Sequence, residues 1–181
     1  ETLEMPKPDK TKLRKWDFDT FKQHHTTGDA YTQLTDLPKS VKEIIDVENS
    51  ENLIIQHNNE LAYTQVSDQA KHDGVIIEGL SEALVNHSDL VQKYFMTKAV
   101  DVDEHRLTAL HTALVNGGIF VYVPKNTVVE HPIQYVVLHD DEQASFYNHV
   151  IIVTEESAEV TYVENYLSTT SGEDNQLNIV S

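Results

Sequence analysis

Cysteine is absent from all 181 residues. That excludes disulfides, thiolate catalysis and any cysteine-held zinc or cluster within this chain. Long apolar runs are missing too: none approaches the roughly 18 residues of a membrane span, and no basic and apolar leader opens the chain. The expectation is a soluble, cytoplasmic protein with no membrane partner. Lysine and arginine vanish from residues 126–181, which carry ten Asp and Glu within a chain of net charge −17. A phosphate backbone is held chiefly by those two side chains, so a nucleic-acid partner is not expected. Such acidity solubilises a surface and blunts strand edges. Phosphate loops of the Gly-x-x-x-x-Gly-Lys type, Gly-x-Ser-x-Gly elbows and His-Glu-x-x-His helices are all lacking.

What remains is a chain long enough to bury roughly 70% of its unfolded surface in one core, and its clearest signal is strand-like. Ile119–Val123, Ile133–Leu138, Val150–Val153 and Val160–Val163 are short runs of β-formers, and a fifth begins at Leu177. Val136–Leu138 and Val150–Val153 are apolar on both faces, so the sheet they form is covered on both sides. Pro124 follows the first run and His131-Pro132 precedes the second, which places corners there. The uneven spacing of strand starts fits a flattened coil of two strands per turn, and it also fits a sandwich.

Upstream the patterning is mixed. Residues 1–50 read as an extended arm and linker, with Trp16, Phe18 and Phe21 packing onto a neighbour and a short helical turn near Leu37–Ile45. Residues 51–116 read as a small mixed α/β region. It contains a hairpin from Leu53–Gln56 to Leu61–Val66 turning at Asn58-Asn59, a strand at Val75–Glu78, and helices over 81–94 and 103–116. In the second helix Leu107, Leu110 and Leu114 form the stripe expected to be buried, at about 2 kcal/mol each, and Gly117 is the expected left-handed terminator.

Histidines and carboxylates invite metal or acid–base readings that the spacing resists. Glu104 and His111 share a helix face but stand about 10 Å apart along the axis, too far for one ion. His105 lies on another face, and His111 reads as an edge residue. His24-His25 sit in a polar stretch, Asn86-His87-Ser88 matches a glycosylation acceptor without a secretion signal, and Asp140-Asp141 and Glu155-Glu156 read as charged turns. His131, His139 and His149 recur at intervals that do not aim three rings at one point. No catalytic, cofactor-binding or metal-binding residue is assigned.

Three strings, GIFVYVPKNTVVEHPIQ, NHVIIVTEESAEVTYVENY and QLNIVS, closely resemble the core of the SufB/SufD family of iron–sulfur cluster assembly scaffolds. The resemblance runs from about Trp16 to Ser181. It implies a mainly β fold, the first coils of a right-handed parallel β-helix over 117–181, preceded by the small mixed α/β region. SufB-type chains continue the Tyr-Val-Glu run with Gly-Cys, whereas here Tyr162-Val163-Glu164 is followed by Asn165-Tyr166. That departure points to the SufD-type branch and removes thiol chemistry from the site. The implied function is a non-enzymatic scaffold subunit, working with a SufB-type subunit and a SufC-type ATPase that hydrolyses the ATP. The strand-like end at Leu177–Val180 suggests a fragment of a longer protein. The family's ATPase-docking and cluster regions would then lie beyond Ser181, with no cofactor held here. The alternative from another class is a β-helix or cupin-like protein binding carbohydrate or metal; residues 126–181 lack the basic residue a lyase needs, and the histidine spacings do not match a converging His/Glu set.

Overall fold

The structure is a computed structural model describing residues 3–7, 12–13, 17–18, 22–23, 30–97, 99–141, 144–168 and 177–180. Trp16, Phe21 and His24-His25 lie outside the described residues.

In chain order the elements are β1 (Lys22–Gln23), α1 (Lys39–Lys42), β2 (Asn52–His57), β3 (Glu60–Gln65), α2 (Asp68–His72), β4 (Ile76–Gly79), α3 (Leu80–Asn86), α4 (Ser88–Tyr94) and α5 (Arg106–Leu114). Five strands follow: β5 (Gly117–Val123), β6 (Ile133–His139), β7 (Ala144–Thr154), β8 (Tyr162–Ser168) and β9 (Leu177–Val180). The fold is thus mixed α/β, and its two sheets are open, with no closed barrel among the described residues.

From β5 onward, consecutive strands alternate between the sheets, and each pairs in parallel with the strand two places along. In one sheet β5 lies beside β7 and β7 beside β9; in the other β6 lies beside β8. The connecting corners stack as well: Val128 bridges Glu159, and the Asn126 amide donates to the Glu156 carbonyl at 3.0 Å. Two antiparallel additions extend the sheets. The β2–β3 hairpin joins β6 through a parallel β2–β6 ladder, and β4 runs antiparallel to β5. Asn58 makes the hairpin turn with φ 56°, a left-handed geometry that asparagine tolerates.

Strand alternation sorts the apolar residues into three layers. Ile54, Ile119, Val121, Ile133, Tyr135 and Val137 fill the space between the sheets. Phe120, Ile151 and Val153 face outward beneath α3 and α4 with Leu80, Ala83 and Val91. Leu53, Ile55, Val136 and Leu138 face the opposite way, onto Leu37, Val41 and Ile45 around α1.

Several sequence expectations need adjustment. The helix expected over 81–94 is two helices, because His87 adopts φ −134° and starts a second one; the surrounding Asn-His-Ser-Asp run favours caps over helix interior. The helix expected from 103 begins at Arg106, since the His105 side chain accepts from the Thr108 amide and closes a capping box. Leu107, Leu110 and Leu114 are only half-buried, and the buried residue of α5 is His111, at 2% exposure. Gly117 does not end that helix in a left-handed turn. It opens β5, where a Cβ would lie 2.4 Å from the Asn148 Oδ1, and the left-handed residue is Gly118, at φ 129°. Strand β7 starts earlier than Val150, and β8 starts later than Val160. No described helix is long and apolar enough to cross a membrane.

Candidate functional site

The apolar interior between the sheets holds a hydrogen-bonded polar group centred on Gln56. Gln56 reaches inward from β2, where its Nε2 donates to the Asn148 Oδ1 and to the Asn58 carbonyl, both at 2.7 Å. Its Oε1 accepts from the Gly118 amide at 3.0 Å and from the Tyr135 hydroxyl at 2.5 Å. One amide thereby joins strands β2, β5, β6 and β7, with Gln56, Tyr135 and Asn148 each at 1% exposure or less. Four satisfied bonds offset the cost of burying so much polarity. Burial pushes the Tyr135 phenol well above its ordinary range, and the nearby Tyr166 and Glu164 add to that.

Along β8, alternation turns Tyr162, Glu164 and Tyr166 the same way, beside Ile133, Tyr135 and Val137 of β6. The Tyr162 hydroxyl donates to the Glu164 carboxylate at 3.0 Å. Burial, reinforced by the Glu164 carboxylate, raises the pKa of both tyrosines strongly. These phenols stay protonated at neutral pH, so neither serves as a phenolate nucleophile.

A second constellation lies on the outer face of the β5–β7 sheet. His111 and His149 meet with Nε2 and Nδ1 3.1 Å apart, at 2% and 5% exposure. Phe95 packs edge-on against the His149 ring, centroids 4.6 Å apart, and Tyr147 lies edge-on to His111. Burial first, and the facing His111 second, depress the His149 pKa to about 4. A group so shifted is neutral at physiological pH. His149 also lines a cavity of about 380 Å³, together with Tyr94, Met96, Val100 and the Val150–Thr154 edge.

The third constellation is at the hairpin end. His57 Nε2 stands 2.7 Å from the Asp140 Oδ2, and the Asn58 side chain donates to Oδ1 at 2.9 Å. The Tyr31 hydroxyl approaches the other imidazole nitrogen at 3.4 Å. Burial works to raise the Asp140 pKa, but the bonds from Asn58 and His57 prevail and hold it below the ordinary value.

The residues singled out in the sequence are dispersed. Glu104 is exposed and His105 caps α5. His131 sits half-buried at a corner, its carbonyl accepting from Asn52, and His139 stacks on Phe146 at a 3.7 Å centroid distance. Glu156 pairs with Lys125 across the stacked corners. Among the described residues no group of three His, Asp or Glu is placed to hold a metal ion. Sequence reasoning missed Gln56 and Asn148, although a lone amide inside an otherwise apolar strand, as in LIIQH, is the available signal. It also missed the meeting of His111 with His149, which only the packing of α5 on β7 creates.

Comparison with known proteins adds an independent line. A family model described as the SufBD protein N-terminal region matches residues 29–135. The chain is similar to the iron–sulfur cluster assembly protein SufD of Bacillus subtilis, 48% identical over 182 residues, covering all of this chain and 42% of that protein. It is also similar to an iron–sulfur cluster assembly SufBD family protein of Pyrococcus horikoshii, 30% identical over 72% of this chain and 31% of the relative. A further SufBD family protein, from Staphylococcus saprophyticus, is 30% identical over 60% of this chain and 23% of the relative. The chain therefore spans less than half the length of each of these relatives. The matched region holds the β2–β3 hairpin, α5 and β5, and the identity to SufD extends through the Tyr162–Tyr166 strand that lacks the SufB-type cysteine: the chain belongs to the SufBD family, in its SufD-type branch.

Proposed function

We propose that this chain forms part of a non-catalytic scaffold subunit that supports iron–sulfur cluster assembly. The observation that carries the reading is the 48% identity to Bacillus subtilis SufD, sustained over the whole chain. The strand pairing supports it. Alternation between two sheets, with each strand parallel to the one two places along, is the connectivity the first coils of a right-handed parallel β-helix require. In this reading further coils carry the contact with a SufB-type subunit and the docking elements for a SufC-type ATPase, which supplies ATP hydrolysis. No residue of this chain is given a catalytic, cofactor-binding or metal-binding role. The setting is the cytoplasm, and neither nucleic acid nor membrane is a partner.

The side chains fit a scaffold better than a catalyst. Gln56 is saturated by its own neighbours, the tyrosines of β8 stay protonated, and His149 is held neutral. The Gln56 bonds tie β2 to β5, β6 and β7, and the histidine pair ties α5 to β7. Co-expression of the full-length protein with its genomic neighbours, followed by affinity purification, native mass and iron and sulfide analysis, tests the proposal. Recovery of an assembly containing an ATPase and a second subunit of the same family is the expected result. A protein that purifies alone, under conditions where those neighbours are expressed and soluble, would refute it.

A further inference from the structure

Where β3 and β4 stand at the sheet edges opposite β8 and β9, three turns of the chain meet around a groove: the β2–β3 turn at Asn59-Glu60, the β4–α3 junction at 79–81 and the α5–β5 junction at 115–118. Leu61 closes one side of it against Gly79, where an added Cβ would come within 2.7 Å of the Leu61 Cδ1. Leu61, Leu80, Leu84 and Val115 give the groove apolar walls, and its volume is about 200 Å³. That is smaller than the roughly 300–1,000 Å³ of a small-molecule or cofactor pocket. It leaves room for one side chain of a partner.

The apolar surface continues outside the groove. Leu84 is 49% exposed, and Val85, next along α3, is 82% exposed, the largest value among the exposed large apolar side chains of the described residues. An exposed apolar patch with a polar surround marks a site of protein contact. Here the surround has one sign. Segments 52–66, 75–92 and 107–124, from which groove and patch are built, contain Glu60, Glu78, Glu82 and Asp89 and no lysine or arginine. Of these acids Glu60, Glu82 and Asp89 are exposed. Glu82, in the first turn of α3, also offsets the partial positive charge of that helix start. The Asn59 Oδ1, at the groove, is buried with no hydrogen-bond partner among the described residues, which adds an unmet acceptor.

These features ask the same of a partner. The carboxylates, in a chain of net charge −17, disfavour an acidic one. A second copy of this chain would set the same acids against each other. A positively charged segment rich in N–H donors complements Glu60, Glu82 and the Asn59 Oδ1, while one apolar side chain from it fills the groove beside Leu84. We propose that this groove docks a peptide segment of another protein in which a leucine-sized apolar side chain is flanked by lysine or arginine. This inference does not depend on the scaffold role.

The test uses the full-length protein. Titration with the end-blocked peptide Arg-Lys-Leu-Lys-Arg, followed by NMR of the Leu61, Leu84 and Val115 methyl groups, should show saturable shifts with a Kd on the order of 1 mM. Arg-Lys-Ser-Lys-Arg carries the same charge and so reports attraction to the acidic chain at large. It should bind at least about fivefold more weakly for want of the buried side chain. Glu-Glu-Leu-Glu-Glu should leave all three methyl groups unmoved. Leu84 lines the groove and is half exposed, so Leu84→Lys should abolish binding while leaving Tm within a few degrees. If that variant does not fold, the peptide comparison decides the matter alone. No shift with the leucine peptide, equal affinity for the serine peptide, binding of the acidic peptide, or binding that survives Leu84→Lys would overturn the proposal. The first of these would mean that the protein's own chain or a second copy covers the groove, and a native mass that halves in Leu84→Lys would identify the copy.

Discussion

Acid should destabilise this protein across a window set by one imidazole. His149 is buried at 5% exposure, faces His111 at 3.1 Å and has a pKa depressed from 6.5 to about 4. The folded state therefore binds fewer protons than the unfolded state wherever the pH lies between those two values, and stability rises with pH across that interval. The contribution is complete above about pH 6.5 and is lost progressively as the pH falls toward 4. At about 1.4 kcal/mol per pH unit, the full depression corresponds to at most about 3 kcal/mol. Against a typical stability of about 5–15 kcal/mol for a domain, that loss is large enough to measure. Urea unfolding at pH 7.5, 6.5, 5.5 and 4.5 should show a falling midpoint with a nearly constant m-value. His149→Gln keeps a polar side chain but cannot be charged, and it should lose much of the slope between 6.5 and 4.5 even though its stability at pH 7.5 is lower. A wild-type midpoint that stays level across the window, or a slope unchanged in the variant, would show that the pair is not what acid attacks. The Asp140 carboxylate, held below its ordinary value mainly by Asn58 and His57 against the opposing effect of burial, adds its own loss only below about pH 4, outside the window.

Two substitutions examine the interior. Gly118→Ala places a methyl 2.0 Å from the His149 carbonyl oxygen on a backbone at φ 129°, so it should cost at least about 3 kcal/mol or prevent folding; a midpoint within about 1 kcal/mol of wild type in urea would contradict the close approach of β5 to β7. Gln56→Leu removes the group that pairs with Tyr135, Asn148, Gly118 and Asn58 together, and leaving those partners unsatisfied should cost about 3–5 kcal/mol; hydrogen exchange should then quicken at the Gly118 amide, and an unchanged exchange rate there would argue against the bond.

Much of the fold was legible because local chemistry and burial agree. Pro124 and Pro132 mark corners, Asn58 marks the hairpin turn, and the apolar runs 119–123 and 133–138 fall within β5 and β6. The strand partners were not legible. Whether Ile119 pairs with Val150 depends on how corners stack, and the spacing of strand starts leaves a sandwich open. The buried histidine was misread for a related reason. A leucine stripe implies that leucines are buried, yet Leu107 and Leu114 flank His111 on the same side of α5, and the surface of β7 offers that helix an imidazole partner at its centre. Gln56 and Asn148 carry a signal only as exceptions to an apolar run, because nothing in one strand's sequence states which amide will face it from another sheet.

The strand order also constrains the order of folding. Ladders β5–β7 and β6–β8 join residues roughly thirty positions apart, whereas β2–β6 joins residues roughly eighty apart, which slows formation of the latter. The longer loop costs about 1 kcal/mol more in closure entropy. Yet β2 and β3 pair across a two-residue turn, a local contact that costs little closure entropy. The hairpin can thus wait as a preformed plate until the alternating strands have assembled the edge of β6 that receives it. Early association would then be sequential along the chain from Gly117 onward, with the amino-terminal part closing the structure last, and the Gln56 bonds to Asn148 and Gly118 would form only in that final step.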